Sequence, residues 1–292
     1  MLRRRAFCED RSMCTVIVRV EPGAPWPVTL LALRDESPER PWDPPGAWWP
    51  ELDPDVRGVH DRSAGGAWLA VSDRSRSLAV VLNRAEPVPE PAGGWTSRGV
   101  LPLDAVVSGT VPTAPPGSRS CNLVRADADG VTVTAWDGTG VVTTRLGPGV
   151  HMLTETAADD EDVPRIARWL HAFRAVAPPS DAPTADALEG FTGPPTTATD
   201  LEPDAAWTPW LDVLRQSTGL RPTDPAAIVR DTTGPAGRFA TLSIVAAAVG
   251  PDGAVLRHAR FGDPAHIRTA EDTAAGADDV TRIDAAGLVR HA

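Results

Sequence analysis

The chain contains no lysine and no tyrosine, so all 28 basic residues are arginine and the aromatic side chains are ten Trp and five Phe. Acidic residues number 39, giving a net charge of −11. Nothing basic is extensive enough to follow a phosphate backbone, which excludes nucleic acid as a partner. No stretch approaches the ~18 consecutive apolar residues of a membrane-spanning helix. The three cysteines, Cys8, Cys14 and Cys121, are odd in number, and their spacing fits neither a disulfide framework nor a zinc site. The six His are scattered with no HxxxH pair and are read mostly as surface residues. No metal and no cofactor is therefore expected. The opening twelve residues, MLRRRAFCEDRS, carry charge but no apolar core, which excludes a secretory signal. They are read as an upstream extension, and the chain as cytoplasmic.

What is present is an apolar content of 42%, enough for a sizeable core. Residues 13–262 are read as one domain and 263–292 as an acidic, weakly patterned tail. Cys14–Val20 and Val28–Leu33 read as a hairpin around the turn Glu21-Pro22-Gly23-Ala24-Pro25. The segment from Ser37 to Val59 is rich in Pro and Trp, and its prolines exclude a helix or a central strand. Gly66–Val71 and Leu78–Leu82 form a second predicted hairpin, and Leu103–Ser108 a short helix. Cys121–Ala126, Val131–Trp136 and Val141–Arg145 predict a meander, turning at Asp129-Gly130 and Asp137-Gly138. Val163–Val176 carries Ile166, Trp169, Leu170 and Phe173 at helical spacing, behind an acidic first turn at Asp159–Asp162. Residues 177–203 read as an exposed excursion, Trp207–Thr218 as a second long helix, and Ala240–Val249 with Ala254–Phe261 as a last strand pair. Strands at both ends with helices between predict an α+β fold of two antiparallel sheets covered by helices.

The chemistry starts from Met13-Cys14. A chain begun at Met13 and trimmed of it carries a thiol and an α-amine on one residue. Their ordinary pKa values, about 8.5 and 7.7–8.0, allow the amine to take the thiol proton near neutral pH. The competing reading is a buried strand cysteine that packs as a small hydrophobe. Arg34-Asp35-Glu36 closes the second strand, and an antiparallel hairpin returns that end to Cys14. A guanidinium there lowers a thiol pKa, and a carboxylate can hold the amine. Acyl transfer also needs fixed donors for an oxyanion.

These residues bring a resemblance with them. Met13-Cys14, Leu30-Leu31-Ala32-Leu33-Arg34-Asp35-Glu36, Arg40-Pro41, Gly65-Gly66-Ala67-Trp68-Leu69-Ala70, the strand ending Leu82-Asn83, Arg98-Gly99, Cys121-Asn122-Leu123 and Pro148-Gly149 together resemble the NRDE family, the Transport and Golgi organisation protein 2-like proteins. The likeness is strong over 13–155 and weaker over 237–261, where Arg238 and Thr241 fall in a late strand pair. That family in turn resembles N-terminal nucleophile hydrolases of the choloylglycine hydrolase and acid-ceramidase type. The resemblance implies a four-layer αββα sandwich and cleavage of a non-peptide amide or N-acyl bond. It implies Cys14 as nucleophile, Arg34 and Asp35 as its contacts, with Glu36 an alternative to Asp35, and Asn83 in the oxyanion hole. Glu36, Trp48, Trp49, Trp68 and Asn122 are the expected substrate-binding residues. The implied partner is a small apolar or amide ligand. This chain departs from the pattern at Leu33, where the family has Asn, and at Leu153-Thr154-Glu155, where it has Leu-Ser-Asn. Those losses keep a second expectation open: a non-catalytic carrier of an apolar ligand such as an acyl lipid or haem.

Overall fold

The computed structural model describes residues 14–185, 187–188, 204–235 and 237–261, and the backbone of 282–283 and 289–290. The proposed extension at 1–12 and most of the acidic tail lie outside the described residues. In chain order the elements are β1 Thr15–Val20, β2 Val28–Glu36, β3 Trp42–Gly46, β4 Val56–Asp61, β5 Gly66–Ser72, β6 Ser77–Asn83 and α1 Val100–Val107. There follow β7 Cys121–Asp127, β8 Gly130–Trp136, β9 Val141–Arg145, β10 Gly149–Leu153, α2 Pro164–Ala175 and α3 Thr208–Ser217. The chain then forms β11 Asp231–Gly234, β12 Gly237–Gly250 and β13 Gly253–Arg260, with two short paired strands, β14 Arg282–Ile283 and β15 Val289–Arg290.

These strands make two large antiparallel sheets, an α+β architecture. The first runs β10-β1-β2-β12, with β11 and β13 paired along successive lengths of the outer edge of β12. The second is a seven-stranded meander from β3 to β9. β1 and β2 are buried on both faces, which is why they read as nearly unbroken Val, Ile and Leu. Alternation sorts their side chains. Val16, Val18, Leu30, Ala32, Val245 and Ala247 pack in one cluster with Leu69, Val80 and Leu123 of the second sheet. Ile17, Leu31, Leu33, Ile244 and Ala246 pack against Ile166, Trp169 and Phe173 of α2 and Trp210 and Leu214 of α3. Helix α1 packs on β5, β6 and β7.

Three features differ from the sequence reading. The Pro-rich segment contains β3, which spans Pro44 and Pro45 as the outer strand of its sheet, and its last residues, from Val56, open the interior strand β4 against the expectation of no central strand there. At an edge a missing backbone N–H leaves no neighbour unsatisfied, so the prolines are tolerated there. β10, only five residues long, and β11, short and polar, complete the first sheet. The acidic run before α2 is not a first turn: the helix opens on Pro164 with no acid in that turn. Asp159 instead folds back, accepting hydrogen bonds from the backbone N–H of Met152 at 2.9 Å and from Arg174 at 2.8 Å, and pairing with His151 at 2.7 Å.

Two motif glycines have a steric reason. A Cβ on Gly66 would lie 2.6 Å from the carbonyl carbon of Gly99, and the backbone N–H of Ala67 donates to Gly99 O at 2.8 Å. The Gly-Gly and Arg-Gly motifs are thus two halves of one close backbone contact, which fixes how α1 enters.

β12 carries a bulge. Its partner on β2 is Asp35 at Thr241 but Arg34 at Ser243, so Leu242 is an extra residue.

Candidate functional site

The hairpin places Cys14 immediately before β1, beside the end of β2. Its side chain is 5% exposed and belongs to the cluster between the sheets. Sγ accepts from the backbone N–H of Asp35 at 3.4 Å and donates to its carbonyl at 3.6 Å. The thiol therefore meets the main chain of Asp35, not its carboxylate. Burial, followed by the nearby Asp35 charge, pushes the thiol up to about 12 against pulls from the Asp35 backbone and Arg34. With the preceding residues attached, Cys14 is a protonated thiol.

Alternation along β2 separates the two expected partners. Arg34 points between the sheets on the same side as Cys14, and its Nη2 lies 3.7 Å from Glu36. Glu36 also faces Arg40 at 3.8 Å, which is held in turn by Asp61 at 2.6 Å. Burial lowers the pKa of Arg34, while Glu36 and Cys14 oppose that shift. Asp35 points the other way. Its Oδ1 accepts from Thr241 Oγ1 at 2.7 Å, and Oδ2 lies 3.9 Å from Arg165 Nη1. Arg165 Nη1 also donates to Thr15 Oγ1 at 2.7 Å, tying this polar pocket under the helices to the residue next to Cys14.

Asn83 ends β6, half-buried, opposite Cys121. Its amide makes no hydrogen bond among the described residues. Cys121 is a free buried thiol pushed up to about 11 by burial. Arg98, from the Arg-Gly motif, feels both thiols: burial lowers its pKa, and Cys121, Glu36 and Cys14 oppose that.

The expected substrate-binding residues fall in different places. Asn122 is fully buried. Its Nδ2 donates to Thr154 O at 3.1 Å and Thr156 O at 2.7 Å, and its Oδ1 accepts from Arg84 at 2.9 Å. Its hydrogen-bonding groups are engaged in pinning the segment after β10, so it acts as a fastener for that segment. Trp48 is exposed and stacks on His60 with ring centres 5.8 Å apart, while Trp49 meets the same ring edge-on at 5.5 Å. Trp68 is buried in β5, and its indole N–H has no partner among the described residues. Trp42 stands apart from these: it packs against Arg34 and His258.

Residues that sequence reading passed over are Arg165, Ser243, His258 and Arg260. His258 is a buried histidine, against the expectation of surface residues. Burial, then the charges of Arg260 and Arg34, lower it to about 3, so it is neutral. The signal was present: Arg165 interrupts the apolar stripe of α2, and His258 takes an inward position on β13 beside Val245. Among the described residues no three His, Cys, Asp or Glu side chains are grouped to hold a metal ion, and no helix is long and apolar enough to cross a membrane.

The class defined by this arrangement is an α+β protein with a buried cysteine at the head of a central strand, flanked by a guanidinium on one face and a carboxylate on the other. The family model for Transport and Golgi organisation 2 matches residues 13–181, more than half of the chain, and the chain belongs to that family. The match opens at Met13, the residue before the cysteine. No curated protein matches the chain.

Proposed function

We propose that residues 13–262 form one cytoplasmic domain of the N-terminal nucleophile hydrolase type. Its layers would run α2 and α3, first sheet, second sheet, α1, and once it begins at Cys14 it would cleave a non-peptide amide or N-acyl bond. The observation that carries this is the position of Cys14 as first residue of the central hairpin, with Sγ held at the Asp35 backbone and Arg34 on the same face. In this reading Cys14 Sγ attacks the carbonyl carbon and the C–N bond breaks, leaving a thioester on Cys14, while the freed α-amine takes the thiol proton and gives it to the leaving nitrogen. A water molecule, deprotonated by the same amine, then cleaves the thioester to release the acid and restore the thiol. Arg34 favours the thiolate. Asp35 or Glu36 orients the amine, and the unengaged amide of Asn83 supplies an oxyanion donor. Trp48, Trp49 and Trp68 would offer apolar surface to the acyl part.

The test begins with intact mass. Protein started at Met13 should lose that residue, and Cys14 should then react with a thiol probe faster than Cys121, with Cys14→Ala abolishing amidase activity. Equal reactivity of the two thiols ends the hydrolase reading.

A second reading, a non-catalytic carrier of an apolar ligand, draws support from Glu155. The family's Asn is replaced there by a carboxylate, which accepts hydrogen bonds and cannot donate to an oxyanion when ionised. On this reading Cys14→Ala leaves ligand binding intact.

A further inference from the structure

One cluster between the sheets goes beyond both readings, which use only its Arg34. The register across three strands sets Arg34 of β2, Ser243 of β12 and Arg260 of β13 side by side in one row. Neighbouring strands lie about 4.8 Å apart, so the flanking arginines converge over the serine. His258 lies two residues from Arg260 on the same face. Trp42 covers the row: the guanidinium carbons of Arg34 and Arg260 lie 5.3 and 4.3 Å from its ring centre, and the His258 ring meets it edge-on at 5.8 Å.

The polar groups of this row are unusually idle. Arg34 Nη1, Ser243 Oγ, Arg260 Nε and both ring nitrogens of His258 are buried without hydrogen-bond partners among the described residues. Arg34 and His258 are each 3% exposed and Ser243 is fully buried. Buried polar groups of this kind are normally satisfied, and several of them left idle in one row around one indole imply something that satisfies them together. Charge points the same way. Arg34 shares Glu36 with Arg40, and Arg260 has no ion-pair partner among the described residues. Like charges gathered against one indole need an anion. Arg guanidinium groups match the planar oxygens of a carboxylate or the face of a phosphate, and a serine hydroxyl adds a donor. Trp42 and Arg260 are half-buried, so the row opens to solvent on their side.

We infer that Arg34, Ser243 and Arg260, with Trp42 as a lid and His258 beside them, form a binding site for the oxyanion end of a small ligand, a carboxylate or a phosphate. The site is a matter of binding and holds whether or not Cys14 is a nucleophile. If the hydrolase reading also holds, the shared Arg34 makes this the subsite for a charged group on the substrate.

Calorimetric titration of the full-length chain tests it, with sodium acetate and inorganic phosphate as separate probes at an ionic strength fixed by sodium chloride. Saturable binding of either anion is expected, with no heat of binding from acetamide. Binding of acetate alone assigns a carboxylate end, and binding of phosphate alone a phosphoester end. Arg260→Met should weaken the binding at least tenfold and Ser243→Ala at least threefold, whereas the surface change Arg74→Met should leave it unaltered. Ser243→Ala removes only an idle hydroxyl, so it reports even if Arg260→Met fails to fold. Absence of saturable binding by both anions overturns the inference. So does equal affinity in the wild type and Ser243→Ala, or an equal loss in Arg74→Met.

Discussion

Cys14 in the full-length chain should be almost inert towards thiol reagents, and the size of the effect follows from its surroundings. Burial and the Asp35 charge push the thiol from 9.0 up to about 12. At pH 8 the thiolate fraction falls from about 10⁻¹ to about 10⁻⁴, a deficit of roughly a thousandfold in the reactive species. The measurement needs a full-length Cys8→Ser, Cys121→Ser variant, so that one thiol remains. Its rate of reaction with a chromogenic disulfide is compared, folded and in urea, at the same pH. The unfolded chain should react at the rate of an ordinary thiol and the folded chain about a thousandfold more slowly, as the thiolate fraction dictates. The folded rate should also rise about tenfold per pH unit through pH 8–10, since the thiol is still far below its midpoint. A folded chain that reacts within tenfold of the unfolded one would refute the burial argument outright. Chain begun at Cys14 has a different environment, because its nitrogen becomes a charged amine beside the sulfur. An unchanged rate there would separate an intrinsically silent cysteine from one silenced by its attachment.

Two further expectations concern the framework. His151 is raised above 6.5 by its hydrogen bond to Asp159 despite burial, while Asp159 is held below 3.8, its own burial outweighed by His151 and the Met152 N–H. The pair's stabilisation is therefore fully present between those two ordinary values. It is lost as pH rises through the raised His151 pKa or falls through the lowered Asp159 pKa. Melting temperature measured from pH 5 to pH 9 should drop on the alkaline side, and Asp159→Asn, which suits the positive φ of 59° there, should flatten that drop. Asn122→Ala should destabilise the fold by about 3–4 kcal/mol, because it strands two carbonyls and an Arg84 N–H that the amide now serves. Urea unfolding gives this value directly, and a change under 1 kcal/mol would mean that water replaces the amide.

Much of this architecture is legible from short-range pattern. β1 and β2 are legible as short apolar runs bounded by turn residues, while β7, β8, α2 and α3 follow alternation or helical spacing, because each of these four buries a face that only one periodicity can supply. The return of Arg34 and Asp35 to Cys14 also follows from hairpin geometry alone. What sequence could not convey is which face each takes. The sequence offers Arg34 to the thiol and Asp35 to the amine, and pleating sends Arg34 to the sulfur's side and Asp35 beneath the helices to Thr241. Arg165, Ser243 and Arg260 meet those residues across separations of 130 to 226 positions, which no local spacing encodes. Asn122 sits in a motif visible in sequence, but its partners Thr154 and Thr156 come from a segment with no visible strand pattern.

The single extra residue at Leu242 has a consequence for how chains of this kind are compared. Thr241 and Ser243 stand two apart, the spacing that ordinarily puts side chains on one face, yet they serve opposite faces. An alignment of β12 guided by alternation will therefore be correct on one side of Leu242 and out of step by one position on the other. A related chain lacking that residue could keep the hydroxyl that meets Asp35 or the one beside Arg34, but strand geometry would deny it both. The length of β12, more than the identity of its residues, is thus a marker that separates relatives able to build both polar pockets from those limited to one.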